Sequence, residues 1–171
     1  MRKLAAIKIN HTKSLRELLF NDFKSTGKEF PISGGYGYSK EDAIVIDKND
    51  PVSPQWGLFD GVAIEYMIAK QRIYEELIIF REEGDKFQQI KINLKMQNLI
   101  MEDGKTYDKL EFNVLAFHDR DIAGFKRELA GMKDMNDYEL AMFGNTNELF
   151  RYQYAAEFWF EVSSFKNFNI E

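Results

Sequence analysis

The chain has 171 residues, 44% of them hydrophobic, with 15 Phe, 8 Tyr and 2 Trp, enough apolar surface to close one core without covalent staples. It has no cysteine, which excludes disulfides, thiolate catalysis and Cys-ligated zinc or iron–sulfur centres. A net charge of −5 (23 basic against 28 acidic residues), with no basic cluster longer than two adjacent residues, argues against nucleic acid as a partner.

The opening MRKLAAIKINHTKS starts basic, but Lys8 and Asn10 interrupt its apolar stretch. No signal peptide is expected, no stretch has the roughly 18 apolar residues of a membrane span, and the expected location is the cytosol. SLRELLFNDF (14–23) places Leu15, Leu18, Leu19 and Phe23 at helical spacing, with Ser14 as N-cap and Glu17 as its capping-box partner. FPISGGYGYSKED (30–42) is glycine-rich and reads as a loop, AIVID (43–47) as a short buried strand, and NDPVSPQWGLFDG (49–61) as a second long loop.

VAIEYMIA (62–69) and RIYEELIIF (72–80) are β-branched and aromatic, which predicts two paired strands, with EEGDK (82–86) as the following turn. FQQIKINLKM (87–96) alternates Ile90, Ile92, Leu94 and Met96 against polar residues, the cleanest period-2 pattern in the chain. Asp103-Gly104 predicts a hairpin turn into YDKLEFNVLAF (107–117). DRDIAGFKRELAGM (119–132) predicts a helix, MNDYELAMFG (135–144) a shorter one, and QYAAEFWFEVSSF (153–165) a final strand. The order predicts one α+β domain over 1–171: an antiparallel sheet of about five or six strands with two or three packed helices.

The chemical motifs are weak. Gly104-Lys105-Thr106 ends like a phosphate-binding loop, but Leu99 stands where the leading glycine is required. GGYGYSK (34–40) lacks the third glycine of a dinucleotide fingerprint. DRDIAG (119–124) opens like a calcium loop, but Ala130 occupies the position of the bidentate glutamate, and DKNDP (47–51) fails in the same way. His11 and His118 are the only imidazoles and lack metal-ligand spacing, so no metal and no cofactor is expected. FHDRD nominates His118 with Asp119 or Asp121 as an acid–base pair, the basis of an alternative reading as a small hydrolase or transferase. Glu75 and Glu76, taken as strand neighbours, are expected on opposite faces. Glu65, Glu75, Glu111, Glu157 and Glu161 are expected on a solvated sheet face with Lys91 and Lys109 across from them, or on an acidic docking face.

GGYGYSKEDAIVIDKNDP (34–51) resembles a stretch of small bacterial immunity proteins of contact-dependent and polymorphic toxin systems. That resemblance covers about a tenth of the chain and assigns no functional residue. It implies a non-catalytic cytosolic protein that binds and neutralises a protein toxin, a basic toxin domain being the partner its acidity suits. A third reading is an accessory protein of a phage or mobile element that binds a host protein. The candidate partner-binding residues lie in the two loops: Tyr36, Tyr38, Glu41, Asp42, Trp56, Phe59 and Asp60. Their aromatics are either plugs over the core or exposed anchors, and their carboxylates would form an acidic rim.

Overall fold

The computed structural model describes residues 2–4, 7–9, 11–24, 27–131 and 150–166, and the expected helix over 135–144 lies outside them. In chain order the elements are β1 (Arg2–Lys3), α1 (Leu15–Asp22), β2 (Ile32–Gly34), β3 (Ile44–Ile46), α2 (Gly61–Tyr74), a π-helical turn (Glu75–Ile79), β4 (Phe87–Glu102), β5 (Lys105–His118), α3 (Asp119–Gly131) and β6 (Tyr152–Glu161). The fold is α+β. Among the described residues six strands form one sheet, five in the order β2-β3-β6-β5-β4 and β1 beside β6 off that path. It is mostly antiparallel, but β1 and β3 both run parallel to β6, sharing the edge that faces away from β5.

Local chemistry starts and stops these elements. Ser14 and Glu17 cap α1 reciprocally: the Glu17 amide donates to Ser14 Oγ (3.3 Å) and the Ser14 amide to Glu17 Oε2 (3.0 Å). Asp103 and Gly104 both adopt positive φ (50° and 75°) with Glu102 opposite Lys105, the two-residue turn whose twist matches a hairpin. On β5, Asp108, Leu110, Phe112, Val114 and Ala116 are buried at every second position. On β6, Tyr154, Ala156, Phe158 and Phe160 repeat that alternation. These faces join Leu15 and Leu19 of α1 and Ile64, Ile68 and Ile73 of α2 in one hydrophobic cluster. On the opposite face Lys109 lies across from Trp159 and reaches Glu111 on its own strand (3.3 Å) and Glu157 on β6 (2.9 Å), the latter the cross-strand pairing expected of a solvated sheet.

Residues 62–80 are helical, which corrects the expectation of two strands there. The Asp60 carboxylate accepts from the Ala63 amide (3.0 Å) and caps the helix, and no proline interrupts it. Its buried residues are Gly61, Ile64, Glu65, Ile68, Ala69, Arg72 and Ile73, a helical stripe of alternating steps of three and one. Packing along that stripe overrides the β-branched preference. At Tyr74 the ladder widens, and the Phe80 amide donates to Glu75 O (2.9 Å), five residues back. The added residue turns Glu75, Glu76 and Leu77 inward together. Glu65 and Glu75, expected on a solvated face, are therefore fully buried. Glu75 and Glu76 share a side rather than opposing each other.

Candidate protein interface

Helix α2 and the π-turn carry a buried ion cluster into the core. Arg72 Nη1 donates to Glu75 Oε2 (2.7 Å), and Arg72 Nη2 donates to Glu76 Oε1 (3.3 Å) and to the Tyr38 hydroxyl (2.5 Å). That hydroxyl also accepts from the Ile9 amide (2.7 Å) and donates to Glu76 Oε1 (3.2 Å). The guanidinium lies over the rings of Tyr38 and Phe158, at 5.2 and 5.8 Å from their centroids. Two carboxylates share one cation, and burial outweighs Arg72, pushing Glu75 and Glu76 each up to about 7.

A second cluster repeats the stoichiometry. Lys166 Nζ pairs with Asp108 and stands 3.1 Å from Glu65 Oε1, both carboxylates being fully buried. Gln97 Nε2 donates to the same Asp108 oxygen (2.6 Å). Burial, and then the charge of Asp108, push Glu65 up to about 8. That shift favours the protonated form of Glu65 at neutral pH, and Asp108 Oδ1 beside it is buried without a hydrogen-bond partner. The carboxylates of both clusters are buried in the core. The clusters fix α2, the 34–42 loop and the segment after β6 against one another.

The residues nominated from sequence are mostly occupied internally. His118 Nε2 contacts Asp85 Oδ1 (2.9 Å) and its Nδ1 accepts from the Arg120 amide (3.1 Å), so both ring nitrogens are taken. Asp119 accepts from Gln88 Nε2 (2.6 Å) and Asp121 pairs with Arg2 (3.2 Å); neither meets the imidazole. Asp42 accepts the amides of Tyr36 (3.1 Å) and Tyr38 (3.2 Å), closing the glycine-rich loop. A Cβ on Gly35 would overlap that carboxylate. Tyr36 donates from its hydroxyl to His11 O (2.9 Å). Trp56 stacks on Phe30 at 5.0 Å and donates from Nε1 to Glu29 O (2.8 Å). Phe59 packs edge-on against Phe165, and Asp60 caps α2. Tyr36, Trp56 and Phe59 are half-buried against the core, while Glu41 and Asp60 are exposed. The two loops flank opposite ends of the β2–β3 hairpin.

What the structure leaves open is strand β4. It ends the sheet, pairs only with β5 among the described residues, and runs 16 residues. Its register slips by one at Lys95: Leu94 opposes Phe112, and Met96 opposes Glu111. Without that bulge Leu99 and Met101 would turn to the other face. With it Ile92, Leu94, Gln97, Leu99 and Met101 share the face of Val114, Phe112 and Asp108. Leu94, Leu99 and Met101 remain 44%, 41% and 53% exposed there, although their β5 neighbours are buried. A groove of about 370 Å³ lies between this strand and α2, lined by Tyr66, Lys70, Tyr74, Ile90, Ile92 and Leu94. An unpaired strand edge beside exposed leucine and methionine is a template for another strand.

No family model, no curated protein and no solved structure matches this chain. The β4 edge is not legible in the sequence because the strand's clean alternation stops at Met96. The following Gln97, Asn98, Leu99 and Ile100 break a period of two unless a bulge is placed at Lys95. The buried Arg72 cluster was hidden for a related reason: charged residues on the inward stripe of α2 disguised its helical period.

Proposed function

We propose that this chain is a non-catalytic cytosolic protein-binding protein of the immunity class, which neutralises a protein toxin by adding one of its strands at the β4 edge. The resemblance of residues 34–51 supports the class, and the net charge of −5 suits a basic toxin domain. The observation that carries the surface is the β4 edge, where main-chain groups that pair with no strand among the described residues adjoin exposed Leu94, Leu99 and Met101. The carboxylates and imidazole nominated for catalysis are engaged inside the fold or paired with Arg2, Asp85 and Gln88.

Reading the neighbouring genes for a toxin, then calorimetric titration with the domain such a gene encodes and growth of cells expressing it, tests the reading; a neighbourhood without a toxin gene would count against it. Leu99→Lys is expected to weaken binding by at least about tenfold and to abolish protection, with the fold retained by circular dichroism. Full affinity and full protection in Leu99→Lys would remove the edge as the docking surface.

A further inference from the structure

We infer that β4 also pairs with the β4 strand of a second copy of this chain, antiparallel about a two-fold axis at Gln97. This inference rests on the reading of β4 as the binding edge and names a further occupant for it. The argument comes from the bulge. A two-fold antiparallel pair matches residues equally far before and after the axis, and opposed side chains share a face. Leu94 lies three residues before Gln97 and Leu99 two after; Ile92 lies five before and Met101 four after; Lys91 lies six before and Glu102 five after. Each mismatch is one residue, and the extra residue is Lys95, which the bulge already sets aside in the pairing with β5.

With Gln97 opposite its copy and Asn98 opposite the bulge, Leu94 meets Leu99, Ile92 meets Met101 and Lys91 meets Glu102, each twice by symmetry. The first two pairs lie on the face that also carries Phe112 and Val114, and the ion pair lies on the other face. Lys91 is exposed and forms no ion pair among the described residues, while Glu102 is 46% exposed beside Lys40 and has room for a second cation. The association covers the apolar edge that would otherwise invite disordered pairing, and a toxin strand would have to displace it.

Sedimentation equilibrium from micromolar to near-millimolar concentration, with hydrogen exchange of β4 amides, tests the pairing. A dimer is expected, with β4 protected and the protection lost in a monomeric Leu99→Lys. Lys91→Glu and Glu102→Lys are each expected to weaken dimerisation about tenfold, and the double variant to restore it. A chain monomeric throughout, or single charge variants that dimerise like the parent, would overturn the pairing. If the chain stays monomeric but Leu99→Lys still abolishes toxin binding, the dimer is wrong and the binding edge stands. If Leu99→Lys dimerises normally and also binds toxin fully, both fall.

Discussion

Arg72 shows how a single residue can hold a fold from inside. Its guanidinium is the only cation within hydrogen-bonding reach of both Glu75 and Glu76 among the described residues, and it ties them to Tyr38. Arg72→Ala would take from both buried carboxylates the cation they hydrogen-bond, leaving Glu76 only the charge of Arg81, a loss of about 3–5 kcal/mol in denaturant titration. The loss should shrink in mild acid, where both glutamates protonate. Glu65 provides a complementary test. It already carries a proton at neutral pH, so Glu65→Gln replaces a neutral group with another of similar shape. Calorimetry is expected to show little change below about pH 4.5 and a melting temperature above the parent's at neutral pH, because only the parent must hold when folded a proton that its unfolded chain releases; the gain levels off above about 8. A marked loss at neutral pH would mean that Glu65 is ionised and that Lys166 serves it rather than Asp108.

At the scale of elements, the strands and α1 were legible because each pattern had one cause. The strands over 87–96 and 107–117, the Asp103-Gly104 turn and the Ser14–Glu17 box all stand where the sequence puts them, although the bulge at Lys95 turns Met96 to the face opposite Leu94. Helix α2 was misread because Val62, Ile64, Ile68 and Ile73 favour strands in isolation. What decides the matter is the inward stripe, and that stripe includes Glu65 and Arg72. A charged residue on a buried stripe cannot be told from a solvated one until its partner is known. Here the partners lie at Tyr38 and Lys166, far along the chain. The capping aspartate was visible, but was assigned to the loop before it. Asp60→Ala should therefore cost about 1 kcal/mol by unfolding titration, as a helix cap does. Trp56→Ala should cost about 3 kcal/mol, because the indole fills space over Phe30. A Trp56→Ala chain that melts like the parent would return that side chain to the candidate docking residues.

For the whole molecule, the two clusters set an unusual dependence on pH. Glu65, Glu75 and Glu76 titrate near 7 to 8 when folded and near 4.5 when not. Between those limits the folded chain binds protons that the unfolded chain has released, so stability falls as pH rises through that window. Below it the slope reverses, since Glu17, Asp85 and Glu111 are held lower by hydrogen bonds from Ser14, His118 and Lys109. The melting temperature is expected to peak in mild acid and to decline through neutrality, and a profile flat from about pH 5 to 8 would contradict that assignment. The position of β6 has a different consequence, for how the chain is made. It separates β3 from β5, yet both emerge from the ribosome before it does. Until β6 arrives, the β4–β5 hairpin has two open edges and β3 has only the three-residue β2 beside it. A nascent chain paused between His118 and Tyr152 is thus a natural client for a chaperone or a protease.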